Sequence, residues 1–144
     1  LVILRTFSKA IGLAGIRLGI AIASREIISY MNKVKPPYNV SELTQEMGLK
    51  ALEDATWLKS SVQEIVKERE SMEKTLLMMQ DVEKIYPSAA NFLLVKFKDA
   101  KGVYDKLIGR GVVVRDRSNV QLCEGCLRIT IGTKLENETL VKAL

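Results

Sequence analysis

Apolar side chains recur along this chain with two different periods, and the switch between them organises it. Over residues 57–79, Leu58, Val62, Ile65, Val66, Met72, Leu76 and Met79 return with Arg69 at intervals of three and four. Such a stripe predicts a long helix buried along one face, and Lys59, Glu64, Lys67, Glu68 and Lys74 give it a solvated opposite face. Beyond Asp81 the period changes. Residues 82–86 and 91–97 read as strands around a turn at Pro87-Ser88. Residues 101–111 predict a helix closed by Gly109 or Gly111, and residues 112–115 and 127–131 predict two more strands before a terminal helix capped by Thr133. Ahead of the long helix, residues 1–4 and 18–23 are short apolar strands. Ser24, with Glu26 in the first turn, opens a helix to about Lys33. Pro36-Pro37 ends it, Tyr38-Asn39-Val40 continues as extended chain, and Ser41 caps a further helix to about Leu52. The pattern is α/β, without internal repeats or low-complexity segments.

Composition narrows the classes of function. A chain of 144 residues with 47% apolar content has the size of one ordinary domain and enough material for a core. The net charge of +5 and pI near 9.3 permit contact with nucleic acid. The basic residues, however, are spread through amphipathic helices, so they are read as solvated faces, some of which attract an anionic substrate; no nucleic-acid partner is expected. No apolar run reaches the roughly 18 residues of a membrane span, and no basic leader with a small-residue cleavage site is visible, so a cytoplasmic location is expected. Cys123 and Cys126 form a C-x-x-C pair, but with no histidine and no other cysteine one chain cannot assemble a Cys/His tetrahedral site. Two free thiols in a turn are expected, and no metal.

The chemistry concentrates near the start. The run Leu4-Arg5-Thr6-Phe7-Ser8-Lys9-Ala10 leads into Gly12-Leu13-Ala14-Gly15-Ile16-Arg17-Leu18-Gly19. An apolar strand thus ends in a hydroxyl residue and a lysine, and a glycine-containing loop carries the chain to an arginine. A lysine amine forms a Schiff base with an aldehyde when its surroundings leave it a neutral fraction. A serine hydroxyl donates to phosphate, and a guanidinium binds phosphate oxygens with two parallel donors.

The string TFSKAIGLAGIRLG resembles the cofactor-lysine motif of the fold-type I pyridoxal-phosphate aminotransferases, and within them the histidinol-phosphate aminotransferase subfamily. The resemblance implies that Lys9 carries the cofactor, pyridoxal 5′-phosphate, and is the catalytic residue, with Ser8 and Arg17 as phosphate ligands. It also implies that the chain is the later part of a longer enzyme. Residues 1–40 would be the end of the large cofactor-binding domain, 41–80 connecting helices, and 81–144 the small C-terminal α/β domain. The start inside an apolar strand and the end within a helical pattern lacking a C-cap glycine point the same way. Upstream, the family has an aspartate on the pyridine nitrogen, an aromatic ring on the cofactor and a phosphate-binding loop, so the isolated fragment is expected to be inactive.

Arg115 ends the run Gly111-Val112-Val113-Val114, and Arg128 lies inside Leu127-Arg128-Ile129-Thr130-Ile131. A cation in an aliphatic strand points outward or meets an anion, because burying it unpaired is costly. Alternation sets Arg128 opposite Leu127 and Ile129. It is also read as sharing a face with Ile131, which favours a buried anion partner over a surface role. Asp116 or Glu124 would serve as partners in a purely structural ion pair. The segments GVVVRD and GCLRITIG resemble the subfamily's substrate-binding strands, which implies that Arg115 contacts the substrate phosphate and Arg128 completes the anion site. PPYNV resembles a family segment near the dimer contact, with Tyr38 and Asn39 either lining the site or forming a rigid turn.

The implied reaction exchanges an amino group between L-histidinol phosphate and 2-oxoglutarate, in histidine biosynthesis, by a homodimer. The same lysine loop occurs in aromatic-amino-acid aminotransferases and threonine-phosphate decarboxylases. Some transcription regulators carry a non-catalytic aminotransferase-like effector domain.

Overall fold

The computed structural model describes residues 1–53 and 55–144, which form two compact units, residues 1–62 and 63–144.

In the first unit, β1 (Val2–Thr6) and β2 (Gly19–Ala23) pair antiparallel, with Thr6 opposite Gly19. A short 3-10 turn, Ala14–Ile16, lies in the connection. Helix α1 (Arg25–Val34) starts at Ser24, whose hydroxyl accepts from the Ile27 N–H, and stops ahead of the two prolines. Helix α2 (Glu42–Glu53) starts where Ser41 Oγ accepts from the Thr44 N–H at 3.1 Å. Helix α3 (Ala55–Leu77) begins and ends two residues earlier than its apolar stripe predicts. At the C-terminal end the backbone tightens, and Met79 N–H reaches Leu76 O instead of continuing the helix.

The second unit holds the later part of α3 and an antiparallel sheet in the order β3-β4-β6-β5. Its strands are β3 (Val82–Tyr86), β4 (Phe92–Phe97), β5 (Arg115–Asp116) and β6 (Cys126–Thr130). Helices α4 (Ala100–Gly109) and α5 (Lys134–Ala143) follow β4 and β6. Leu93, Val95 and Phe97 of β4 and Leu127 and Ile129 of β6 meet Met72 and Leu76 of α3, Leu107 of α4 and Leu140 of α5 in one core. Alternation along the strands puts this core on one sheet face, so the other face is available for a site.

Two expectations change. The strand expected over residues 112–115 is reduced to Arg115–Asp116. Val112 N–H is taken by Leu107 O in the closure of α4, where Gly111 adopts φ +74°, leaving the valine run to form a connection rather than a ladder. Helix α4 begins at a cap the apolar pattern does not show: Asp99 Oδ1 accepts from the Gly102 N–H at 2.9 Å.

Helix α5 carries a reciprocal cap. Thr133 Oγ1 accepts from the Glu136 N–H, and the Glu136 carboxylate accepts from the Thr133 N–H at 2.7 Å. Those donors hold the Glu136 carboxyl below its ordinary 4.5, led by the backbone bond from Thr133. A depressed carboxyl pKa stabilises the fold above the unfolded value, and that contribution is lost as pH falls through the folded pKa. Thr133→Ala in the full-length protein should cost the first turn of α5 about 1 kcal/mol, read as roughly fivefold faster amide exchange there. The acid-side pH dependence of that exchange should weaken with it. Unchanged exchange would show that the buried Asn137, whose amide bonds the Gly132 N–H and carbonyl, holds the turn without the Thr133 hydroxyl.

Candidate functional site

The lysine loop of the first unit is built by continuing the β1–β2 ladder. Phe7 N–H donates to Leu18 O at 3.2 Å, one residue past the Thr6–Gly19 pair, and Ser8 and Arg17 follow on the two sides of the loop. Phe7 is buried and anchors the loop, and Leu13 N–H returns to Phe7 O at 2.9 Å. Ser8 N–H donates to Thr6 Oγ1, and Gly12 N–H donates to Lys9 O in a tight turn with Gly12 at φ +71°. That conformation suits glycine because a side chain there is strained.

Helix α2 supports the loop from beneath. Thr44 Oγ1 donates to Ile16 O, and a methyl placed at Gly48 would lie 2.6 Å from the Leu18 side chain. Arg17 sits in the left-handed region, at φ 55°, and spends one donor on Ala14 O at 2.8 Å. Lys9 is exposed, and among the described residues its amine has no ion-pair partner and the Ser8 hydroxyl no hydrogen bond. The loop therefore presents an amine, a hydroxyl and a guanidinium, all donors, with no ion-paired anion among the described residues. A depression of about 600 Å³ beside it is lined by Arg17, Tyr38, Asn39, Ser41 and Met47.

In the second unit, the register across the open sheet face is Tyr86, Leu94, Arg128, Arg115. The two arginines are therefore neighbours on paired strands. Period two gives Arg128 the company of Cys126 and Thr130, whereas Ile131 joins the core; the expected sharing of a face with Ile131 is wrong by one residue. The apolar neighbour comes from β4 instead. The Arg128 guanidinium lies over the Phe92 ring, 5.2 Å from its centroid. Its Nε is buried with no hydrogen-bond partner.

Neither arginine is ion-paired within the described residues, so the structural pairing with Asp116 or Glu124 does not form. Asp116 instead accepts from the Ser118 N–H at 2.8 Å, and the Ser118 donors push its carboxyl down. A buried guanidinium donor with no acceptor is costly. Stacked on an aromatic ring and joined by a second arginine across the ladder, it fits a ligand carboxylate or phosphate. Phe92, which sequence reasoning did not assign, carries no signal there beyond its place in the strand read over residues 91–97. Its position under Arg128 depends on a strand pairing that no local pattern reveals.

The family model for aminotransferase class I and II matches residues 1–144, and the chain belongs to that family. The histidinol-phosphate aminotransferase of Flavobacterium psychrophilum is 54% identical over all 144 residues of this chain, which cover 41% of that protein. The structure of histidinol-phosphate aminotransferase from Sinorhizobium meliloti in complex with pyridoxal-5′-phosphate is 27% identical, with a TM-score of 0.87 over 99% of this chain and 39% of the other. A decarboxylase from Sulfurospirillum multivorans is 29% identical, with a TM-score of 0.83 over 99% of this chain and 42% of the other. The chain thus spans about two fifths of the length of the relatives it matches, and its architecture is that of a fold-type I pyridoxal-phosphate aminotransferase portion. Among the described residues, no helix is long and apolar enough to cross a membrane.

Proposed function

We propose that this chain is the later part of a cytoplasmic, dimeric aminotransferase that moves an amino group between L-histidinol phosphate and 2-oxoglutarate with pyridoxal 5′-phosphate. In this reading residues 1–40 close the large domain, 41–80 connect, and 81–144 are the small domain. The observation that carries it is the pair of unneutralised donor sets: Ser8, Lys9 and Arg17 on the hairpin loop, and Arg128 with its orphaned Nε beside Arg115 on the open sheet face. The donor chemistry fits the cofactor, since an amine that can bond its aldehyde stands next to two phosphate donors.

When bound, pyridoxal phosphate supplies an electron sink for the electrons left at the substrate Cα. Lys9 would hold the cofactor through its amine, and the same amine would serve as the base and acid that moves the substrate's Cα proton. Ser8, through its hydroxyl, and Arg17, through its remaining N–H groups, would hold the cofactor phosphate. The turn between Lys9 and Gly12 sets the lysine backbone, so the amine's search is confined to its own side-chain torsions. Arg115 and Arg128 receive the anionic end of the substrate, and the Phe92 ring holds the Arg128 plane in one orientation. Anion recognition by two guanidiniums suits a phosphorylated amine in one half-reaction and a dicarboxylate in the other.

The test is competition between amines in the full-length protein. L-histidinol phosphate should be used at least tenfold more efficiently than phenylalanine or tyrosine, about 1.4 kcal/mol of discrimination. The likeness to a decarboxylase supplies a second reading, in which carbon dioxide is released from an amino acid. Release of carbon dioxide without amino transfer would establish it and displace the first.

A further inference from the structure

We propose that Cys123 and Cys126 form a reversible intramolecular disulfide, a thiol switch in the turn that leads into β6. Cys126 N–H donates to Cys123 O at 2.9 Å, closing a four-residue turn. Gly125, its third residue, has φ +72°, and Glu124 is not among the residues of positive φ, which defines a type II turn. A hydrogen-bonded turn keeps its first and fourth Cα atoms within about 7 Å, and disulfides span Cα separations of about 4.4–6.8 Å. The backbone of the reduced form is thus already close to the geometry of the bridged one.

A second turn delivers Cys123 to this position. Cys123 N–H donates to Val120 O at 2.9 Å, with Leu122 held at φ 65°. The left-handed region disfavours a leucine, so surrounding contacts must hold the chain there; Glu124 Oε1 accepts from the Leu122 N–H at 3.2 Å. On the far side, Arg117 N–H donates to Cys126 O and extends the β5–β6 ladder to the thiol pair.

The two thiols differ in the way a stepwise exchange requires. Cys123 is partly exposed and Cys126 is fully buried. Burial pushes the Cys126 thiol up, against smaller opposing effects of Lys96 and the Tyr86 hydroxyl. A thiol with a high pKa leaves the reduced form without thiolate stabilisation, which favours the bridged state. The co-reactant is a small-molecule disulfide. Cys123 thiolate attacks one of its sulfurs, forming a mixed disulfide and releasing one small thiolate. Cys126 then gives its proton to the released small thiolate and attacks Cys123 Sγ, releasing the second. Two protein thiols lose two protons and two electrons, and the small disulfide is reduced to two thiols.

The full-length protein is equilibrated with hydroxyethyl disulfide, alkylated with iodoacetamide and digested with trypsin, which isolates both cysteines in peptide 118–128. The expected peptide is lighter by two hydrogens and carries no alkyl group, and dithiothreitol before alkylation restores two. Cys126→Ser should retain the hydroxyethyl adduct on Cys123, which locates the first attack. Two alkyl groups after oxidation, or a stable adduct on Cys123 in the unmutated protein, would overturn the proposal. Because Cys126 begins the strand that carries Arg128, oxidation should also raise KM for L-histidinol phosphate severalfold with kcat little changed. That kinetic arm rests on the transamination reading, whereas the peptide mass does not.

Discussion

Lys9→Ala in the full-length protein should lower kcat for transamination by roughly 10³-fold or more, since it removes the group that moves the proton and positioned acid-base groups contribute about 10² to 10⁴. The lysine is exposed at the end of a ladder and supports no packing, so the substitution should leave the fold intact. The phosphate donors Ser8 and Arg17 remain, so pyridoxal phosphate should still be retained while the visible absorbance of its lysine-linked form disappears. A small exogenous amine such as methylamine should restore part of the rate, because it returns the missing base without returning the side chain. A variant that keeps both the absorbance band and the rate would remove Lys9 from the mechanism and transfer the role to a lysine outside this loop.

The legibility of this loop in the sequence has a local cause. Strand, hydroxyl, lysine, glycine and arginine follow one another within a hairpin, so residues that meet in space are also near in the chain. The same holds for Ser24, Ser41 and Thr133, where a hydroxyl and the N–H groups it accepts lie three residues apart. The failures are non-local. The valine run before Arg115 has strand composition, yet its first N–H is committed to closing α4, and β6 accepts only two residues of the edge. Arg128 was correctly set against Leu127 and Ile129, but its ring neighbour comes from a strand more than thirty residues earlier, through a register that composition does not encode. Asp99 as a cap and Gly48 as the close approach of α2 to Leu18 were likewise invisible, because each depends on what packs opposite.

Arg128→Gln should reduce kcat/KM for L-histidinol phosphate by about 30- to 150-fold, or about 2–3 kcal/mol, the range expected when one partner of a desolvated charge pair is lost. The reasoning starts from the orphaned Nε. A buried guanidinium donor left unsatisfied against Phe92 is costly, and an anion that completes it recovers that cost on binding. Glutamine removes the charge and the fork, while the Phe92 surface remains covered by an aliphatic stem of similar path. Arg128→Lys separates charge from geometry: an ammonium restores the charge but not the two parallel donors, so it should recover only part of the loss. The effect should appear with 2-oxoglutarate as well, since both half-reactions present an anion, and the Lys9-dependent absorbance band should be unaffected. If both variants keep kcat/KM within threefold of the unmutated protein, Arg128 is a structural cation stacked on Phe92, and the anion must be held by Arg115 or by residues beyond this chain.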